Sequence, residues 1–124
     1  MEELEGYIKK IEKVISGDQR YRFEAYSFVL AGLHHTVSKL EKPRHVTGPE
    51  LLGGIKEYAT EQFGRMARLV LNYWGVHKTE DIGNIVFTLV DAGVLRKQPE
   101  DRIEDFRDIF SFEEAFDRAA LEEE

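Results

Sequence analysis

The chain contains no cysteine, which excludes disulfides, thiolate metal sites and cysteine nucleophiles. It has no apolar run approaching the ~20 residues that span a bilayer. Its opening, Met1-Glu2-Glu3-Leu4-Glu5, is acidic where a signal peptide is basic. A cytoplasmic protein without a membrane partner is expected. Three catalytic or ligand-binding signatures are also missing. There is no His-Glu-x-x-His helix and no Gly-x-Ser-x-Gly elbow. Gly53-Gly54 lies inside a helical pattern and lacks the Lys-Ser/Thr pair and preceding strand of a phosphate loop. Those two glycines point instead to a close helix–helix contact. Finally, no lysine or arginine occurs between Thr79 and Ala92.

What is present fits one domain, residues 1–124. At 14.4 kDa, about two-thirds of the unfolded chain's surface can be buried, enough for a core without staples. The net charge of −7 is concentrated near one end: residues 99–124 hold eleven acids against three bases. An acidic terminal region is a docking surface for a basic partner or a solvated tail.

Apolar spacing predicts five helices. The first, over residues 2–16, carries Leu4, Ile8, Ile11 and Ile15 on one stripe; with the second it forms an N-terminal helical pair, residues 2–40. The second, from about Tyr21 to Leu40, shows a seam of Phe23, Tyr26, Leu30, Leu33, Val37 and Leu40, widened by Ala25 and Val29, and belongs at the centre of the core. Thr47-Gly48-Pro49-Glu50 is a capping box with proline in the first turn. It opens a third helix bearing Leu51, Leu52, Ile55, Tyr58, Ala59 and Phe63. Gly64 breaks it. A fourth helix carries Met66, Ala67, Leu69, Val70, Tyr73 and Trp74, and Gly75 closes it. Thr79 caps the fifth, whose inner face is Ile82, Ile85, Val86, Leu89 and Val90. Its outer face shows Glu80, Asp81, Asn84, Thr88 and Asp91.

Two short alternating runs, 94–98 and 106–110, then predict a β-hairpin with a polar tip; the alternative over Ile103 to Ile109 is a helical turn. Ser111-Phe112-Glu113-Glu114 is a second capping box that starts an acidic C-terminal helix over 111–124, with Ala115, Phe116 and Ala119 inward. The expected fold is therefore mainly α, with a winged-helix-like portion (three helices and a wing) over residues 47–110. A fifth helix in the DNA-reading position would present carboxylates to phosphates, so nucleic acid is an unfavoured partner.

His45-Val46-Thr47-Gly48-Pro49-Glu50-Leu51-Leu52, Tyr58-Ala59, Gln62-Phe63-Gly64, Trp74-Gly75-Val76, Thr79-Glu80-Asp81-Ile82-Gly83, Ile85-Val86-Phe87 and Phe112-Glu113-Glu114-Ala115-Phe116 occur in that order. In these motifs the chain resembles a family of short bacterial proteins of unknown function, typical of planctomycete and verrucomicrobial genomes. The resemblance runs from about Ala25 to Phe116. It implies a bacterial source and a single domain, and it implies no activity, substrate or catalytic residue.

Candidate chemistry is sparse. His34 and His35 are adjacent on one helix and point about 100° apart, so they do not clamp one ion together. His35 with His45, or His77, would need distant elements to converge. Glu24, Glu80 and Asp81 are the carboxylates to weigh for acid–base work, each with a simpler reading as a helix-surface or dipole acid. No metal or cofactor is expected. The leading expectation is a non-catalytic protein-interaction module. Glu100, Asp101, Glu104 and Asp105 of the hairpin tip, with Glu113 and Asp117, would meet a basic protein partner or a second copy. One alternative is a nucleic-acid-binding regulator using Lys39, Lys42, Arg44 and His45, with Arg65 and Arg68 as a second basic face. Another is a small enzyme or metal protein. Tyr21, Tyr73 and Phe112, near element boundaries, are the aromatic anchors to look for on a docking surface.

Overall fold

The computed structural model describes residues 2–117. Five α-helices appear in the predicted order: α1 (Glu2–Gly17), α2 (Phe23–Ser38), α3 (Gly48–Phe63), α4 (Ala67–Tyr73) and α5 (Thr79–Asp91). A 3-10 turn, Gly64–Met66, separates α3 from α4. After α5 come a second 3-10 turn, Ile103–Phe106, and a single π-helical turn, Glu113–Asp117. No helix of the described residues is long and apolar enough to cross a membrane.

Local chemistry accounts for the helix ends. Thr47 Oγ1 accepts from the Glu50 amide at 3.3 Å, and the Glu50 carboxylate accepts from the Thr47 amide at 2.9 Å. That is the predicted reciprocal box. Gly64 stops α3 at φ 52° and Gly75 follows α4 at φ 93°, a region glycine enters without penalty. At Gly75 a side chain is doubly excluded, because a Cβ would overlap the Arg20 carbonyl oxygen. The chain crosses there, and the Arg22 amide donates to the Trp74 carbonyl at 3.0 Å.

The start of α5 differs from expectation. Lys78 is the N-cap and Thr79 is the first helical residue, fully buried. The Thr79 hydroxyl accepts from the Ile109 amide at 3.3 Å and donates to Glu80 Oε1 at 3.2 Å. Capping falls to Asp81, whose carboxylate accepts from the amides of His77 (2.9 Å) and Lys78 (3.2 Å).

Helix α2 is central, packing on α1, α3 and α5; its buried face keeps Ala25, Tyr26 and Val29 of the predicted seam but is rotated away from Phe23, Leu33 and Val37. Ala25, Tyr26, Phe28, Val29, Gly32 and Thr36 are buried, whereas Phe23 is 41% exposed. Small residues decide the rotation. A Cβ on Gly32 would sit 2.8 Å from Ile55 Cγ1, and one on Gly54 would overlap Thr36. Helices α2 and α3 therefore approach through Gly32, Thr36 and Gly54, and the larger Leu33 and Val37 flank that line. Gly53 faces open space and takes no part. On α1, Ile8 is 37% exposed; the side chains of Leu4, Ile11 and Ile15 lie outside the described ones.

No β-strand occurs among the described residues, so the predicted hairpin and its wing are absent and the winged-helix reading fails with them. Gly93 takes φ 79°, and the amides of Val94 and Leu95 both donate back to the Leu89 carbonyl, at 2.9 and 3.2 Å. These residues finish α5 instead of starting a strand. The second run is captured by Phe106, whose buried ring lies against Gly48 and Gly83. A Cβ on Gly83 would fall 2.7 Å from Phe106 Cβ, and one on Gly48 would fall 3.0 Å from Cε2. Residues 95–106 thus form a strap across α3 and α5. Beyond it, the Glu114 amide reaches Ser111 Oγ at 3.5 Å, and Ala115 and Phe116 are buried as predicted. Ala119 and the final acidic run lie outside the described residues.

Two buried tyrosines make opposite demands. The Tyr21 hydroxyl donates to Asp81 Oδ1 at 2.7 Å and accepts from Asn84 Nδ2 at 3.0 Å. Burial pushes its pKa up to about 12. The Tyr26 hydroxyl is buried with no partner among the described residues. A satisfied buried bond contributes and an orphan costs. Tyr21→Phe should lower urea-derived unfolding stability by about 1–2 kcal/mol, and Tyr26→Phe should leave it unchanged or raise it by up to about 1 kcal/mol. Equal losses in both variants would contradict this assignment.

Candidate functional site

The acids at the start of α5, and half of those expected to read a partner, are committed inside the fold. Of α5's outer residues only Asp91 is exposed. Asp81 holds the Tyr21 hydroxyl and two amides, and Asn84 donates to the same hydroxyl. Glu80 accepts from the Asp108 amide at 3.2 Å. Burial opposes its charged form, but the amide and hydroxyl bonds outweigh it and hold the carboxyl below its usual range.

The predicted acidic tip divides. Asp101 accepts from His45 Nε2 at 2.7 Å and from the Gln98 amide at 2.8 Å. Asp105 accepts from the Arg102 amide at 3.0 Å, and Asp117 pairs with Arg68 at 2.6 Å. Glu100, Glu104 and Glu113 stay exposed. The alternative basic patch is similarly spent. Arg44 grips Glu50 with both guanidinium nitrogens, at 3.1 and 2.8 Å, and Lys39 stands 3.7 Å from Glu57. Lys42 remains exposed.

The histidines separate. His45 goes to Asp101, and His77 Nδ1 meets Asn72 Oδ1 at 3.2 Å. His34 is exposed. His35 stacks near Tyr58, with ring centroids 5.1 Å apart. Its Nε2 lies 3.2 Å from Glu57 and its Nδ1 3.9 Å from Glu61. Those three ligand atoms fall within 4.8 Å of one another, and Lys39 Nζ lies 3.7 Å from the same Glu57 oxygen that meets His35. Glu24 lines a shallow groove with Phe28 and Trp74 and is not joined to Glu80 or Asp81.

Two further features stand out, of which only Tyr73 is signalled by the sequence. The first is a ridge on α4 and its 3-10 lead-in. Met66, Leu69 and Tyr73 are 52%, 61% and 67% exposed, three large apolar side chains at i, i+3 and i+7 on one helix face. Ala67 and Leu71 on the opposite face are fully buried, so the ridge stands on a fixed base. The Arg22 guanidinium lies 4.3 Å from the Tyr73 ring centroid and its Nε donates to the Tyr73 carbonyl at 3.2 Å. Of the three anchor aromatics, Tyr21 and Phe112 are buried and Tyr73 alone is exposed.

The second is a cavity of about 210 Å³ under the strap, walled by Leu33 and Val37 of α2, Leu51 of α3, Val86 and Val90 of α5, and Phe106. The half-buried residues of the predicted seams are its walls.

No protein-family model, curated protein or solved structure matches the chain. The resemblance to the planctomycete and verrucomicrobial family rests on its quoted motifs alone.

The Arg44–Glu50 clamp at the cavity rim sets an acid limit. Arg44's two hydrogen bonds, then the Thr47 amide, hold the Glu50 carboxyl down at about 2, against an ordinary 4.5. Its contribution is present above pH 4.5 and disappears as the pH falls through about 2. Glu50→Gln should therefore flatten the fall in melting temperature across that window, and added salt should weaken the native slope because the pair is exposed. An unchanged slope in Glu50→Gln would contradict the clamp.

Proposed function

We propose that this chain is a non-catalytic protein-interaction module that docks its partner through the α4 ridge of Met66, Leu69 and Tyr73. The observation that carries this reading is the exposure of three large apolar side chains along one face of a helix whose other face is locked into the core. Isolated exposed apolar residues are ordinary on a folded surface, but a contiguous set at helical spacing marks an interaction site. Tyrosine is enriched at such anchors because its ring buries much area at small entropic cost.

The surroundings suggest the partner's chemistry. Arg22 covers one side of Tyr73, and Arg68 beside the ridge is already paired with Asp117. The complementary surface is therefore an apolar groove, in place of the basic partner expected from the acidic C-terminal region, half of whose candidate acids are occupied internally. A protein partner fits better than nucleic acid, since a ridge of methionine, leucine and tyrosine offers nothing to phosphates.

The double substitution Leu69→Asp and Tyr73→Asp tests the proposal. Both side chains are largely in water, so stability should shift by no more than about 1 kcal/mol. Tagged native chain and variant are used to capture proteins from the source cells, and self-association is followed by sedimentation. A partner, or a second copy, should be retained by the native chain and lost by the folded variant. Identical captured sets and identical sedimentation for the two chains would refute it.

A further inference from the structure

The cavity under the strap has an apolar interior and a charged mouth, and the charges at the mouth are not evenly used. Arg44 is held by Glu50. His45 is held by Asp101, and Asp105 by the Arg102 amide. Arg96 and Lys97, which also line the opening, are exposed and form no ion pair or hydrogen bond among the described residues. Arg96 and Lys97 are therefore the two cations at the mouth without a partner among the described residues, on a chain that carries −7 as a whole. Inside, the wall is chiefly aliphatic: Leu33, Val37, Leu51, Val86, Val90 and Leu95. The volume, about 210 Å³, corresponds to roughly seven waters at ~30 Å³ each. It falls short of the roughly 300–1,000 Å³ typical of drug-sized ligands, so the space suits one short chain.

We infer that this cavity binds a small aliphatic monocarboxylate, its hydrocarbon end among Leu33, Val37, Val86 and Val90 and its carboxylate at Arg96 and Lys97. The chemistry on each side is complementary. Methylenes leaving water for a preformed apolar wall gain about 0.8 kcal/mol apiece, and a carboxylate at a cationic mouth makes charge-assisted bonds. A cationic amphiphile would meet like charge there, and a neutral one would leave both bases unused. Glu50 is paired with Arg44 and Asp101 is bonded to His45, so Asp105, held by the neutral Arg102 amide, is the carboxylate set against the two cations Arg96 and Lys97. The site is separate from the α4 ridge, so neither assignment depends on the other.

The test is a titration of the full chain with hexanoate, octanoate and decanoate, each beside its matching alcohol, followed by amide chemical shifts. At least one acid should saturate at millimolar concentration with shifts centred on Val37, Val86, Val90 and Leu95. It should bind about tenfold tighter than its alcohol. Arg96→Gln with Lys97→Gln, two exposed positions whose replacement leaves the core intact, should bring the acid down to the alcohol's affinity at unchanged melting temperature. The inference is overturned if no acid saturates, if acid and alcohol bind alike, or if the double variant keeps the native preference. It is also overturned if an acetylated peptide ending in free leucine binds more tightly than all three acids, which would give the site to protein C-termini.

Discussion

Phe106 sits where two glycines make room for it, and much of the molecule follows from that contact. Gly48 begins α3 and Gly83 lies inside α5, both buried, and the ring reaches them from a 3-10 turn in an otherwise irregular segment. Glycine in a helix interior costs about 1 kcal/mol relative to alanine, so Gly83 is tolerated for the space it leaves. With the ring seated, residues 95–106 are drawn across α3 and α5 and cannot stand away as a hairpin. The same strap roofs the cavity and brings Asp101 to His45 and Arg96 with Lys97 to its mouth.

On the other side of α5 a polar contact does comparable work. Tyr21, Asp81 and Asn84 join the α1–α2 connection to the start of α5, and Asp81 also caps that helix. The acids that give α5 its unusual charge are thus mostly structural. Among the exposed features are the apolar ridge on the short helix α4 and the mouth of the cavity. Binding surfaces on a rigid helix or within a preformed pocket require little reorganisation, and both proposed contacts are of that kind.

Helix positions were legible in the sequence because their signals are local. Thr47-Gly48-Pro49-Glu50, Gly64, Gly75 and Gly93 each dictate backbone conformation or capping within a few residues. Rotation about the helix axis was not legible, because it is set by the neighbour. On α2 the large seam of Leu33 and Val37 looks like the core face, but Gly32 and Thr36 take α3 at close range and leave those two to wall a cavity. On α4, Leu69 reads as core from hydrophobicity alone, and Tyr73 reads as either core or anchor. The hairpin was misread for a related reason: Val94-Leu95 and Phe106 to Ile109 alternate as strands do, and nothing local reveals that Gly83, more than twenty positions away, will accept Phe106. The glycine inside a strongly apolar helix was the one available hint.

The measurement that bears most directly on this account is residue-resolved amide hydrogen exchange in a Gly83→Ala variant. If Phe106 is held as described, the methyl group should displace it. Protection should then fall at Asp101, Asp105 and Arg107, whose amides close the turns of the strap and its exit, and stay native in α2 and α3. Native protection throughout the strap, or uniform loss across the whole chain, would contradict the claim that this one aromatic seat organises residues 95–106.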